Sequence, residues 1–366
     1  MIRHILYTLS VAVGISFTGC IYSDDGLCTD SGSAADPTPV DVHLTFVIRQ
    51  GDGRMSRAPG HEQYPATEAE CLIDLDGGDY RVLVFDWEGR LLQQLETVKI
   101  RDFDYADGVT ECLVRGTLDD AWTDFQIVVL ANWESFGADY STVLSGVRTL
   151  DDLEDRSRTL PYRLPVDGWR PFSGSNRGIP MTGLQSYTGV DWSANTTDGV
   201  RRLDGAVSLL RAVAKIEVVD RINTLSADRV SIDAVSLYGY NATGCFIPDM
   251  QSNPLWNNPV SQVVTPTLPS VSEYLEYGEL TLAKDDDVTL SDGKSYARYS
   301  AYISEFAISQ VSDKQKCPKL RITVRNPDVA PDIASDKVVY TIDVANYVGG
   351  SATDPLASLL RNHIYR

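Results

Sequence analysis

Asp41-Val42-His43-Leu44-Thr45-Phe46-Val47-Ile48 alternates polar and apolar side chains over its first six residues. A period of two is that of a strand with one face buried, because successive Cβ atoms point to opposite sides of the pleat. The pattern recurs along the chain. Tyr80 to Phe85, a turn at Asp86-Trp87-Glu88-Gly89 and a return at Arg90-Leu91-Leu92 read as a hairpin. Phe125 to Leu130 is nearly continuously apolar, as expected of a strand buried on both faces, and ends at Ala131-Asn132-Trp133. Leu210, Ala212, Ala214, Ile216 and Val218 alternate with Arg211, Val213, Lys215 and Glu217. A helix competes there, since Leu209, Val213 and Ile216 share a helical face, but the β-branched content favours a strand. Further alternations fall at Val230-Ile232, Tyr296 to Phe306, Leu320-Ile322-Val324 and Val338-Tyr340-Ile342-Val344. Strand after strand with turns between them predicts an all-β chain of two β-sandwich domains in tandem, meeting around residues 200 to 206.

Helical signals are few. Thr149-Leu150-Asp151-Asp152-Leu153 fits a capping box that opens a short helix. From Pro161 to Gly199 the chain is rich in Pro, Gly, Ser and Asn and is expected to run as irregular loop. Gln50 to Gly60 is a second glycine-rich stretch, carrying Arg54 and Arg57 and no apolar period, and such a loop is readily cut by a protease.

The N-terminus says where the protein goes. A basic head (Arg3, His4) precedes an apolar run from Ile5 to Phe17 that is too short to span a bilayer and ends in small residues. This is the pattern of a signal peptide, residues 1–19. Cleavage between Gly19 and Cys20 leaves 366 − 19 = 347 residues, enough for two domains, with a charge of 31 − 51 = −20 once Arg3 is removed. So acidic a surface repels phosphate backbones, and no basic patch with interleaved aromatics offsets it, so nucleic acid is not an expected partner. Beyond Asp41 no apolar run is long enough to cross a membrane. Besides Cys20 there are Cys28, Cys71, Cys112, Cys245 and Cys317, an odd number whose pairing spacing does not fix, and none forms a C-x-x-C.

Thr18-Gly19-Cys20 resembles the lipobox of bacterial lipoproteins, in which the cysteine becomes the first residue and is acylated. Two or three acyl chains would make a durable anchor, at about 0.8 kcal/mol per buried methylene. An ordinary secretory signal with an incidental cysteine is the competing reading. Asp24-Asp25 resembles the export tag that sends Bacteroidota lipoproteins to the outer leaflet; its plainer reading is a solvated linker, as Thr29 to Pro39 certainly looks.

Several segments together, in order, resemble the fimbrillin-like subunits of Bacteroidales type V pili. They are Cys20 to Cys28, which looks like the opening of the minor, cell-proximal anchor subunits, Val82-Leu83-Val84-Phe85-Asp86 with Gly89, Val129 to Asn132, Ile179-Pro180-Met181-Thr182-Gly183, Arg211 to Glu217, Tyr302 to Glu305 and Arg361-Asn362-His363-Ile364-Tyr365. The resemblance implies two transthyretin-like β-sandwiches, no catalysis, no cofactor, and assembly by donation of a β-strand to a neighbouring subunit. In shaft subunits of that family, cleavage after an arginine following the first strand opens the acceptor groove. Ser56-Arg57-Ala58 looks like that region and Arg54 is a second candidate, whereas an anchor subunit keeps its lipid and escapes the cut. Family members continue past the Arg-Asn-His-x-Tyr element with a last strand. This sequence stops at Arg366, so the C-terminal sandwich is expected either to be continued elsewhere or to lack that strand.

The expected organisation is therefore a signal peptide (1–19), an acylated N-terminus with flexible linker (20–39), an N-terminal sandwich (40–203) and a C-terminal sandwich (204–366). The expected function is a fimbrial subunit at the cell outer membrane, tethered by lipid on Cys20. Its partners would be other fimbrial subunits, the membrane through its acyl chains, and a host or bacterial surface ligand met through the assembled fibre. The alternatives are a shaft or tip subunit processed at Arg54 or Arg57, and a glycan-binding lipoprotein using Trp122, Trp133, Trp169, Trp192 and Trp256. No enzyme signal competes. His4, His43, His61 and His363 are never at metal-ligand spacing, Gly174 to Gly178 is a misspaced nucleophile motif, and Asp102 to Gly108 and Asp285 to Asp287 read as acidic turns before they read as calcium sites.

Overall fold

The first strand, Pro39–Arg49, lies inside a sheet rather than at its rim. On one side it runs antiparallel to Val109–Asp119, in unbroken register from Pro39↔Asp119 to Arg49↔Val109; on the other it runs parallel to Val200–Arg211, from Val42↔Arg201 to Ile48↔Leu209. Val42, Leu44, Phe46 and Ile48 are fully buried, as the alternation predicts, and Val47 on the opposite face is buried too. The chain is described here from a computed structural model that covers residues 39–49, 67–95, 99–106, 109–164, 169–194, 196–197, 200–221, 230–241, 243–247, 275–290, 292–307, 318–325, 337–348, 351–355, 358–359 and 361–366. These residues belong to one compact unit, Pro37–Arg366.

The main sheet runs Leu91–Gln94, Tyr80–Asp86, Phe125–Ala131, Met181–Tyr187, Val200–Arg211, Pro39–Arg49, Val109–Asp119, Lys99–Ala106, with Thr196–Thr197 also on Val200–Arg211. Val200–Arg211 serves two partners: its first part pairs with Pro39–Arg49, and Leu210 and Arg211 pair with Met181 and Thr182. The sheet thereby folds over itself into a sandwich. Val42, Leu44, Phe46 and Ile48 share a core with Val82, Val84, Ile127 and Val129 from the other half. The alternate residues Leu83, Phe85, Val128 and Leu130 pack outward under Trp133, Tyr140, Val143 and Leu153 of the short helical segments. That second layer is why Phe125–Ala131 is apolar at every position but Gln126, as expected.

Leu150–Thr159 is a helix begun as the capping box predicts: Asp152 N donates to Thr149 Oγ1 at 3.1 Å, and Thr149 N donates to Asp152 Oδ2 at 2.9 Å. The expectation of irregular loop from Pro161 to Gly199 fails at Met181–Tyr187, a strand hydrogen-bonded along its full length to Phe125–Ala131. Its glycine is the reason for the misreading. A Cβ on Gly183 would stand 2.5 Å from Ser208 O, so close strand approach requires the residue that reads as a breaker.

The 210–218 alternation forms strand, not helix, but as two strands. Val200–Arg211 ends in the main sheet and Val213–Asp220 starts another, with Ala212 N donating to Pro180 O at 2.7 Å between them. Two four-stranded sheets follow. One runs Ala283–Thr289, Ser295–Ser304, Val213–Asp220, Ile364–Tyr365; the other runs Leu275–Thr281, Ser231–Asn241, Lys319–Arg325, Lys337–Asp343. They face each other across a core containing Ala214, Ile216, Val235, Leu237, Leu280 and Ile303. The fold is all-β and sandwich-like with a few short helices.

Candidate functional site

The first strand is held by two ladders and by its side chains. Fully burying residues such as Val42, Leu44, Phe46 and Ile48 stabilises by roughly 1.5–3 kcal/mol each. Arg54 and Arg57, the candidate processing residues, lie between this strand and the next described residue, Thr67; they are outside the described residues, as are Gly19, Cys20, Cys28, Cys317 and Trp256.

Directly after that stretch, the short turn Glu68–Cys71 reaches the second pair of sheets. Glu70 is buried, and its Oε1 accepts from Lys215 Nζ at 2.7 Å and from Tyr302 Oη at 2.5 Å, while Oε2 accepts from Thr67 N at 2.7 Å. Arg211 is buried beside it, with Nε donating to Glu70 O, Nη1 to Asn362 Oδ1 and Nη2 to Cys71 Sγ, each at 2.7 Å. Lys215 also pairs with Glu217 at 3.1 Å, and Arg366 Nε donates to Glu217 Oε2 at 2.8 Å. Burial alone would raise the Glu70 carboxyl, but Lys215, Tyr302 and Arg211 overcome it and bring it down to about 2. Burial and the Glu70 charge push the Tyr302 phenol well above its ordinary value. Glu70 is thus a carboxylate at neutral pH, held by Lys215, Tyr302 and Thr67. This seam can hold segments together.

Three of the sequence landmarks converge here. Arg211 and Lys215 come from one, Tyr302 from another, and Asn362 and His363 from the last. Asn362 N donates to Val213 O at 2.8 Å and Lys215 N to His363 O at 2.9 Å, which docks Ile364–Tyr365 parallel to Val213–Asp220. Arg361 is buried with Glu305 and donates to Phe246 O and Cys245 O, each at 2.9 Å. Asn132, in the left-handed region at φ 60°, ties Asp74 N, Leu72 O and Ile179 O together at 2.8–2.9 Å. Glu70 was missed by the sequence reading; its local trace is Thr67-x-x-Glu70, the spacing of a capping box.

Four of the five candidate tryptophans are among the described residues, and they pack on the cores. Trp133 is fully buried and stacks on Phe246 with centroids 4.5 Å apart, Trp192 is buried against Phe125, and Trp122 and Trp169 are partly buried against the cores. Asp285 is occupied by Arg170 at 2.7 Å and Ser300 at 2.5 Å. Among the described residues no group of three His, Cys, Asp or Glu side chains is placed to hold a metal ion. Cys71 and Cys245 are thiols. No helix among the described residues is long and apolar enough to cross a membrane.

No family model and no curated protein matches this chain. Among solved structures it is similar to the fimbrial anchor protein Mfa2 of Porphyromonas gingivalis, at 13% identity over 85% of this chain and 83% of that one, with a TM-score of 0.32. It is also similar to a candidate adhesin of Bacteroides thetaiotaomicron (14% identity, 80% and 78% covered, TM-score 0.30). A candidate polysaccharide-binding protein of the same species gives 12% identity, 82% and 80% covered, and a TM-score of 0.29. Likenesses this distant assign no function.

Proposed function

We propose that this chain is a fimbrial subunit of the cell outer membrane, tethered through acylated Cys20 and joined to its neighbours by strand donation. The observation that carries the reading is the position of Pro39–Arg49: a strand whose apolar side chains are buried, paired on both sides, with Arg54 and Arg57 next along the sequence. Loss of that strand would expose two ladder edges, on Val109–Asp119 and Val200–Arg211, and leave the places of Val42, Leu44, Phe46 and Ile48 empty. A strand from another subunit with the same alternation would satisfy both. An anchor keeps its own strand and so stops the fibre at the membrane; a shaft subunit gives it up.

The test is the intact mass and N-terminal state of the protein taken from its native envelope. An acylated Cys20 with the chain continuous through Arg54 and Arg57 supports the anchor. A chain beginning after either arginine makes it a polymerising subunit. A mature N-terminus elsewhere, without acyl groups, overturns the tether.

A further inference from the structure

Lys337–Asp343 is the rim strand of its sheet, paired with Lys319–Arg325 from Lys319↔Asp343 to Arg325↔Lys337 and with no strand beyond it among the described residues. Rim strands present outward N–H and C=O groups and are ordinarily blunted by charge in their middle. The rim strand Ala283–Thr289 has that protection in Lys284, Asp285, Asp286 and Asp287. Lys337-Val338-Val339-Tyr340-Thr341-Ile342-Asp343 does not: its charges stand only at its two ends. Five large apolar side chains are exposed among the described residues, and three of them, Val339 (54%), Tyr340 (51%) and Ile342 (36%), are on this strand.

The order of residues indicates what covers it. Turned end for end, the strand complements itself: Lys337 meets Asp343, Val338 meets Ile342, Val339 meets Thr341, and Tyr340 meets its own counterpart. We propose that Lys337–Asp343 pairs antiparallel with the same strand of a second copy of this chain, about a two-fold axis at Tyr340. The two four-stranded sheets then become one eight-stranded sheet. Val338, Tyr340 and Ile342, which register with Val324, Ile322 and Leu320 on the core side, continue the apolar face across the junction. On the other face each end joins a pair already present, since Lys337 Nζ lies 2.6 Å from Asp233 Oδ2 and Asp343 is held by Lys319. Each end then forms one row across the junction, in which Arg325 and Lys337, both beside Asp233, meet Asp343 and Lys319 of the second copy. A parallel pairing sets like ends together and a shifted antiparallel one separates the charges, so the two-fold register is the one the ends select.

The register makes the test specific. Tyr340→Cys places two thiols opposite each other, whereas Ile342→Cys places them about four residues, or roughly 13 Å, apart along the strands, beyond disulfide reach. In the full chain, mild oxidation in the envelope is expected to link Tyr340→Cys into a dimer on a non-reducing gel and to leave Ile342→Cys at the level of the parent. In detergent-solubilised full chain, sedimentation should show a concentration-dependent dimer. K337E or D343K alone should weaken it about tenfold, because each mismatch occurs twice, and mixing the two variants should recover it, because both junction contacts then join opposite charges while each chain's own contacts are unchanged. Thermal melts of the two charge variants confirm that they fold. A parent that stays monomeric at every concentration overturns the proposal. So does equal cross-linking at both cysteine positions, cross-linking of Tyr340→Cys only to a different protein, or a mixture of the folded variants that fails to recover.

Discussion

Replacing Glu70 by Gln removes one charge from the seam and leaves its shape. Gln still accepts from Tyr302 and from Lys215, but Lys215 keeps only Glu217 as a charged partner, at 3.1 Å, and Arg211 loses the nearby carboxylate. A carboxyl brought from 4.5 to about 2 contributes about 3 kcal/mol at neutral pH, taking about 1.4 kcal/mol per tenfold change in proton affinity. Breaking a buried pair by removing one partner independently costs about 3–5 kcal/mol. The two routes agree, so Glu70→Gln should lower the unfolding free energy by about 3 kcal/mol at pH 7, read by urea unfolding of parent and variant. The pH dependence separates charge from packing. Because the folded carboxyl is depressed, its contribution is complete above the unfolded value near 4.5 and is lost as pH falls through about 2. The gap between parent and variant should therefore stay constant from pH 7 to 5 and narrow steadily below that. A gap under about 1 kcal/mol at pH 7, or one that persists unchanged down to the acid limit of folding, would refute this account of the seam.

Gly183→Ala should destabilise by about 1–3 kcal/mol, read as a lowered denaturation midpoint, because its Cβ would stand 2.5 Å from Ser208 O; a midpoint equal to the parent's would show that the strands can separate. Thr149→Ala should cost about 1 kcal/mol through loss of the cap on Leu150–Thr159, with amide exchange faster in that helix and unchanged in the sheets. His363, whose imidazole burial holds below 6.5, binds its proton less readily folded than unfolded. Stability should therefore fall as pH drops below about 6.5, and His363→Gln should flatten that slope in thermal melts between pH 7 and 5.

The strands were legible where burial follows a local period. Val42, Leu44 and Phe46 meet one core from one side of the pleat, and the alternation from Asp41 to Phe46 records it. Phe125–Ala131 lost the alternation because helices cover its second face, and its nearly continuous apolarity recorded that instead. What a local window cannot hold stayed hidden. Glu70 meets Lys215 and Tyr302 across separations of 145 and 232 residues, so only its capping spacing was visible. Met181–Tyr187 was hidden because the glycine that lets two strands approach also resembles a turn. The alternation from Leu210 to Val218 was correct in kind, yet nothing in it marked Ala212 as the point where the chain leaves one sheet for another. Exposure of the tryptophans was equally beyond reach, since composition does not tell a ring on a core from a ring in water.

The parallel pairing of Pro39–Arg49 with Val200–Arg211 also dictates an order of folding. Val42 finds Arg201 only after 201 − 42 = 159 further residues exist. At about 5–20 residues per second of synthesis that is about 10–30 s in which the first strand is made but cannot be enclosed on that side. A pairing across so long a loop raises the contact order, and a high contact order slows folding. The earliest strand in the chain is thus among the last to be shut in, and during that interval it competes for its own place with any other extended segment nearby.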